Sequence, residues 1–231
     1  MGLNAQCATI RPVRPTTTVL KRLFTAALAT LLGWVLRALT VLFTGVIARG
    51  QVPARPDRPR IYYGNHSSHL DFMVIWTALS GANRRRTRPV AGADYWEKTR
   101  VRKFIAQHVI HALLVDRDDP DKRKLAVPRM VAALDAGDSL ILFPEGTRGD
   151  GSQIGEFKRG LYAVASERPD VDCVPVYLSS LSRSLPKGVV VPVPVAGKAY
   201  FAEPIRCAAG ESDEDFLHRA RQALIEAGRN L

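Results

Sequence analysis

Ser139-Leu140-Ile141-Leu142-Phe143-Pro144-Glu145-Gly146-Thr147-Arg148 holds four apolar residues in a row, then a proline that cannot continue a ladder, then a charged turn. A short unbroken apolar run stopped this way is the mark of a strand buried on both faces. The same grammar recurs on either side. Ile61-Tyr62-Tyr63 runs into a turn at Gly64-Asn65. Pro89–Ala91, Ala112–Val115, Asp172–Leu178, Val189–Val195 and Lys198–Phe201 read as further strands. Between them, Leu70–Leu79, Tyr95–His108, Asp121–Asp135 (closed by Gly137), Glu156–Glu167 and Asp213–Ala227 carry helical periodicity. Strands alternating with helices predict an α/β fold: a layered central sheet, mostly parallel or mixed, flanked by helices. A chain of 231 residues suits one such domain and buries a core without staples. Cys7, Cys173 and Cys207 are odd in number and widely spaced, which argues against a disulfide framework and a structural zinc site.

The charge is lopsided. The whole chain carries a formal +11, and residues 1–60 hold nine basic side chains against the single acid Asp57. Arg84-Arg85-Arg86-Thr87-Arg88 and Lys98–Lys103 add further clusters. Such a balance attracts a polyanion: nucleic acid, an anionic lipid surface or an acidic carrier of substrate. The neighbouring residues favour lipid. Leu23–Ala48 is apolar apart from small polar residues and Arg37, which divides it into two pieces each shorter than a bilayer span. A span with Arg37 near its middle costs ~2.5–3.5 kcal/mol or more. The expectation is an N-terminal membrane-associating helical segment over residues 1–50. It would lie as an interfacial helix, or a helical pair in one leaflet, with Arg37 snorkelling to the headgroups; a single transmembrane anchor is the alternative. Gln51–Arg60 reads as a linker, and residues 51–231 as the α/β domain.

Three strand ends carry candidate chemistry. Asn65-His66-Ser67-Ser68-His69-Leu70-Asp71 follows the Ile61 strand. If a turn leads into a helix near Ser68, Asp71 folds back to orient the His66 imidazole, which then serves as a general base. The same residues also read as a helix cap, with Ser67 or Ser68 at the N-cap. The Ser139 strand delivers Glu145, Gly146, Thr147 and Arg148 at its carboxyl end, where open α/β sheets bind ligands; Arg148 suits a phosphate. Leu113-Leu114-Val115-Asp116-Arg117 ends in a second candidate phosphate ligand, Arg117. Gly155–Gly160 has P-loop glycine spacing but Leu161 where lysine is required. No Gly-x-Ser-x-Gly occurs. His66, His69 and Asp71 make a poor metal set, because residues two apart on a helix do not share a face.

Asn65-His66 through Asp71, then Arg117, then Phe143–Arg148, Phe157-Lys158-Arg159-Gly160 and Val174-Pro175-Val176 together resemble, over roughly residues 60–180, the glycerolipid acyltransferases, in particular the PlsC-type 1-acyl-sn-glycerol-3-phosphate acyltransferases. The second block departs from the family: His111 and Leu114 stand where glycine and phenylalanine are frequent. The resemblance implies transfer of a fatty acyl group from acyl-CoA or acyl–acyl carrier protein to the free hydroxyl of lysophosphatidic acid, giving phosphatidic acid in phospholipid biosynthesis. It implies His66 as base and Asp71 as its orienter. Arg117, Glu145, Gly146, Thr147 and Arg148 would engage the phosphorylated acceptor, with no covalent intermediate, metal or cofactor. The implied partners are a membrane lipid acceptor, the acyl-CoA or carrier protein and an anionic membrane surface, not nucleic acid; the site would face the cytoplasm. Backbone N–H groups at Ser67 and Ser68 are candidate donors to the oxyanion. Arg84–Arg88 and Lys98–Lys103 are candidates to receive CoA phosphates or an acidic carrier. The competing readings are an acyltransferase on another lysolipid (a lyso-aminolipid or glycolipid), or a non-catalytic basic protein that binds lipid or nucleic acid.

Overall fold

Side chains along the central strands point alternately to two separate cores. In a computed structural model, which describes residues 17–52, 58–68, 70–116, 119–179 and 197–231, Ile61 and Tyr63 of one strand face one layer while Tyr62 faces the other. Leu140 and Leu142 likewise oppose Ile141, and Cys173 opposes Val174. This two-residue period, apolar in both phases, is what a sheet covered on both sides demands.

The strands are β1 (Ile47–Gly50), β2 (Arg60–Gly64), β3 (Thr87–Gly92), β4 (Leu113–Val115), β5 (Ser139–Leu142), β6 (Asp172–Ser179) and β7 (Lys198–Phe201). They form one sheet in the order β1-β7-β6-β2-β5-β3-β4. Every pairing is parallel except β6 with β7. β5 therefore sits beside β2, with Tyr63 opposite Leu142, and the two strands release their carboxyl ends side by side. The chain then passes from β5 to β6 on the far side of β2. That reversal of direction leaves a crevice above β2 and β5, where doubly wound sheets bind ligands.

The helices are α1 (Thr17–Thr44), α2 (Asp71–Ala78), α3 (Gly81–Arg85), α4 (Ala93–Trp96), α5 (Arg100–Phe104), α6 (Pro120–Lys124), α7 (Ala126–Asp135), α8 (Gly160–Glu167) and α9 (Asp213–Arg229). α1, α2 and the π-turn Ile105–Val109 cover one face; α7, α8 and α9 cover the other. α9 is held to β2 by the Tyr63 hydroxyl, which donates to Ala220 O at 3.1 Å. Burial pushes that phenol well above its ordinary pKa, so it remains a donor. Cys173 and Cys207 are buried and unbridged, and burial pushes the Cys173 thiol up to about 12.

Several elements depart from the sequence-based expectation. The Tyr95–His108 helix is broken: Thr99 adopts φ −135°, accepts from Arg102 N–H through its side chain, and starts a new helix. The Asp121–Asp135 helix divides at Leu125, so that Pro128, with no N–H to give, falls in the first turn of α7. α8 begins at Gly160 rather than Glu156, because Gly155 and Lys158 donate their N–H groups to Glu145 and Pro144 instead of to a helix. The Val189–Val195 strand lies outside the described residues.

α1 is one continuous helix through Arg37 and not a pair. It stops at Thr44, and Ile47–Gly50, expected to end the apolar segment, is an edge strand paired with β7. Ala29, Leu32, Leu36, Thr40 and Thr44 seat it on the domain. Its outer stripe is bare: Leu20 is 59% exposed, Phe24 71%, Leu31 62% and Leu42 71%. At 3.6 residues per turn, Arg22 and Arg37 fall away from that stripe and Lys21 on its flank.

Gly64, where β2 ends, has no room for a side chain: a Cβ there would lie 2.8 Å from the backbone oxygen of Val176. Gly64→Ala is expected to destabilise the fold by about 1–3 kcal/mol, read as a fall in the urea midpoint; an unchanged midpoint would contradict the packing described.

Candidate active site

Asp71 occupies the first position of α2, and Oδ2 of its carboxylate is the hub of the turn before it. Ser67 and Ser68 donate their backbone N–H groups to Oδ2 at 2.7 and 2.8 Å, and His66 Nδ1 lies 2.8 Å from the same atom. Asp71 is fully buried, whereas the His66 side chain is 23% exposed. A carboxylate oxygen facing Nδ1 only accepts, so Nδ1 carries the proton and Nε2 is the nitrogen left for chemistry. Neither serine caps α2. The residue before the helix is Leu70, with no side-chain cap, and Ser68 Oγ accepts from Leu70 N–H. The Ser67 and Ser68 N–H groups are consumed by Asp71, so the expectation that they serve an oxyanion is corrected.

The β5 loop locks onto this turn. Glu145 is buried, and its Oε1 accepts from His66 N–H at 2.8 Å while Oε2 accepts from Gly155 N–H at 3.1 Å. Gly149 N–H donates to His66 O at 2.9 Å. The Phe143 ring stacks on the imidazole, centroids 4.4 Å apart and 18° from parallel. Glu145, read from sequence as a ligand to the acceptor, thus has both oxygens on backbone N–H groups and acts as a brace. Gly146 turns the chain at φ +73°, and Lys158 crosses it so closely that a Cβ would lie 2.8 Å from Lys158 Cδ.

Two cavities meet at His66. One, of about 340 Å³, has Phe143, Gly146, Arg148, Tyr95 and Trp96 on its walls. The other, of about 390 Å³, is bounded by Asn65, Tyr177, Arg221, Gly228 and Arg229. His66, Asp71, Glu145, Gly146 and Arg148 are brought together. Thr147 is exposed beside them, and Arg117 lies outside the described residues, as does His69. Arg148 has no ion-pair partner among the described residues.

Four contributors carried weak local signals or none. Asn65 donates through Nδ2 to Leu178 O at 2.9 Å and accepts from Leu178 N–H at 2.8 Å, extending the β2–β6 ladder by one side chain. Phe143 looks in the sequence like the last residue of a strand. Lys158 is separated from Gly146 by the whole intervening loop. Arg221 reaches from α9 to the carbonyls of Ile154 and Gly155, a contact no local pattern announces.

A model of the family described as Acyltransferase matches residues 45–179. Over 138 residues the chain is 29% identical to the chloroplastic 1-acyl-sn-glycerol-3-phosphate acyltransferase of Arabidopsis thaliana, covering 57% of this chain and 35% of that one. Over 175 residues it is 27% identical to the 1-acyl-sn-glycerol-3-phosphate acyltransferase of Limnanthes douglasii, covering 74% and 59% respectively. The chain thus spans about a third to three fifths of the length of these curated relatives. Its fold is shared with the crystal structure of the 1-acyl-sn-glycerophosphate acyltransferase PlsC from Thermotoga maritima, at TM-score 0.68 and 20% identity over 94% of this chain and 83% of the other.

The Asn65 clamp makes a graded prediction. Asn65→Asp keeps the acceptor and loses the donor, and Asn65→Ala loses both. Stability is expected to fall in that order, with the alanine variant about 2 kcal/mol below wild type in chemical denaturation; equal midpoints for all three proteins would rule out the clamp.

Proposed function

The chain belongs to the acyltransferase family, and from that footing we propose that it transfers a fatty acyl group from an acyl thioester, acyl-CoA or acyl–acyl carrier protein, to the free hydroxyl of lysophosphatidic acid. The product is phosphatidic acid, an intermediate of phospholipid biosynthesis. The observation that carries the proposal is the 2.8 Å contact between His66 Nδ1 and the buried Asp71, which reserves Nε2 for the substrate beside a cavity walled by Arg148.

An alcohol is a poor nucleophile at neutral pH and must shed its proton as it attacks. His66 Nε2 takes the hydroxyl proton while the alkoxide oxygen bonds to the thioester carbonyl carbon. The tetrahedral adduct expels the thiolate by breaking the C–S bond, and the imidazolium returns its proton to sulfur. Asp71 holds the ring in the required tautomer and stabilises the transient positive charge. Phe143 fixes the ring plane. Glu145 sets the height of the His66 backbone against the β5 loop. Arg148 grips the acceptor's phosphate, with Lys158 as a second cation alongside Gly146, and Tyr95 and Trp96 line the path of its acyl chain. The second cavity, on the other side of the imidazole, gives the thioester donor its approach. No cofactor enters these steps.

The acceptor and product are membrane lipids, and α1 brings the site to them. Its charge-free stripe is laid in one leaflet, parallel to the surface, with Arg22 and Arg37 turned back toward the domain. A spanning orientation would pull α1 from the seam formed by Ala29, Leu36 and Thr40. The net charge of +11 favours the anionic cytoplasmic leaflet.

An acceptor panel with labelled acyl-CoA and acyl–carrier protein tests the proposal. His66→Ala is expected to lower kcat by about 10²–10⁴-fold while lipid binding persists; an unchanged rate would overturn His66 as the base, and a wild type that binds lipid but acylates no acceptor would favour a non-catalytic lipid-binding protein. Arg148→Ala is expected to raise KM for lysophosphatidic acid by roughly tenfold or more, with little change for an uncharged lysolipid. Equal effects on both acceptors would move the specificity to another lysolipid.

A further inference from the structure

Three guanidinium groups converge on the face of the sheet that carries α1. Arg37 stands on α1 with its Nε buried and unpaired among the described residues. Arg84, on α3, lies over the Trp76 ring at 5.2 Å and donates from Nη1 to Thr77 O at 3.3 Å. Nη2 of Arg84 and Nη1 of Arg85 each sit 3.7 Å from the point that a Cβ on Gly81 would occupy, so the two forks face one another across that glycine. Burial, and then the positive charges of Arg37 and Arg85, pull Arg84 below its ordinary pKa. Among the described residues no carboxylate pairs with any of the three. Like charges gathered in a partly desolvated place repel unless an anion joins them. None of the three lines either cavity at His66.

We propose that Arg37, Arg84 and Arg85 form a binding site for the phosphate headgroup of an anionic membrane lipid, distinct from the catalytic cavities. The position favours a lipid over a soluble anion. Arg37 lies on the domain-facing flank of α1, away from the bare stripe, and its guanidinium stands 5.7 Å from the ring of Trp34, which is 62% exposed. Tryptophan and arginine side by side mark headgroup depth. From Arg37 to the end of the helix at Thr44 is seven residues, or about 10 Å, after which the chain turns back into the sheet. A phosphate at that level takes charge-assisted hydrogen bonds from planar forks. The site rests on the membrane-lying reading of α1 and not on the chemistry assigned to His66.

Partition of the whole protein onto phosphatidylcholine vesicles, with and without phosphatidic acid, tests this. Arg37→Gln/Arg84→Gln is expected to lose roughly thirtyfold of the preference for the anionic vesicles, and the exposed Arg85→Gln, which disturbs no packing, about fivefold. Binding to pure phosphatidylcholine should be unchanged in both. Arg123→Gln/Arg129→Gln removes the same charge from α6 and α7, away from α1, and should keep most of the preference. An equal loss in that control would mean diffuse attraction and overturn the site, as would an intact preference in Arg37→Gln/Arg84→Gln. Thermal stabilisation of the wild type by inorganic phosphate, equal to that by a short-chain phosphatidic acid, would overturn the lipid assignment. A wild type that ignores neutral vesicles would refute the membrane reading of α1, and the site with it, while leaving the catalytic proposal standing.

Discussion

One carboxylate oxygen, Asp71 Oδ2, organises the centre of this molecule. By accepting from the N–H groups of Ser67 and Ser68 it folds the segment between β2 and α2 into a tight turn. By facing His66 Nδ1 it decides which imidazole nitrogen is free. Shape and chemistry are thus set by the same atom, and the fully buried position shields both from competition with water. Of the two alternatives that the sequence leaves open, a serine cap on α2 is not what the structure shows: Leu70 precedes the helix uncapped, and Asp71, a helical residue, accepts from the turn instead and faces the His66 ring.

The turn is then clamped from three directions. Glu145 reaches from β5 to His66 N–H, Asn65 bridges to β6 at Leu178, and Arg221 reaches back from α9 to the loop that supplies Gly155. Each clamp ends on a backbone group, so what is held is the path of the chain rather than a particular side-chain pose. A side chain that has to meet a reacting group at a fixed height is positioned by such second contacts as much as by its own partner.

Local patterns fared well wherever structure follows from them. Apolar runs and breakers located β2, β5, β6 and β7, and the pairing of β2 with β5 explains why His66 and the Glu145–Arg148 turn, far apart in the chain, share a crevice. What local patterns missed arises from tertiary contact. Nothing near Glu145 announces that its oxygens are taken by His66 and Gly155, so a charged residue at a strand end resembled a ligand. Nothing near Gly155 reveals that a Cβ there would meet Glu145 Oε2 at 3.0 Å. The split of Asp121–Asp135 was legible in Pro128, whereas the choice between one helix through Arg37 and a helical pair stayed open in the sequence, because docking of α1 against α2 and the π-turn decides it.

Chain order has a consequence of its own. α1 precedes every element of the sheet, and α9, which supplies Arg221 and the Ala220 carbonyl that receives the Tyr63 hydroxyl, follows all of it. During synthesis α1 emerges ahead of the sheet, while the crevice still lacks one wall. The crevice above β2 is therefore left open on one side until α9 closes over it.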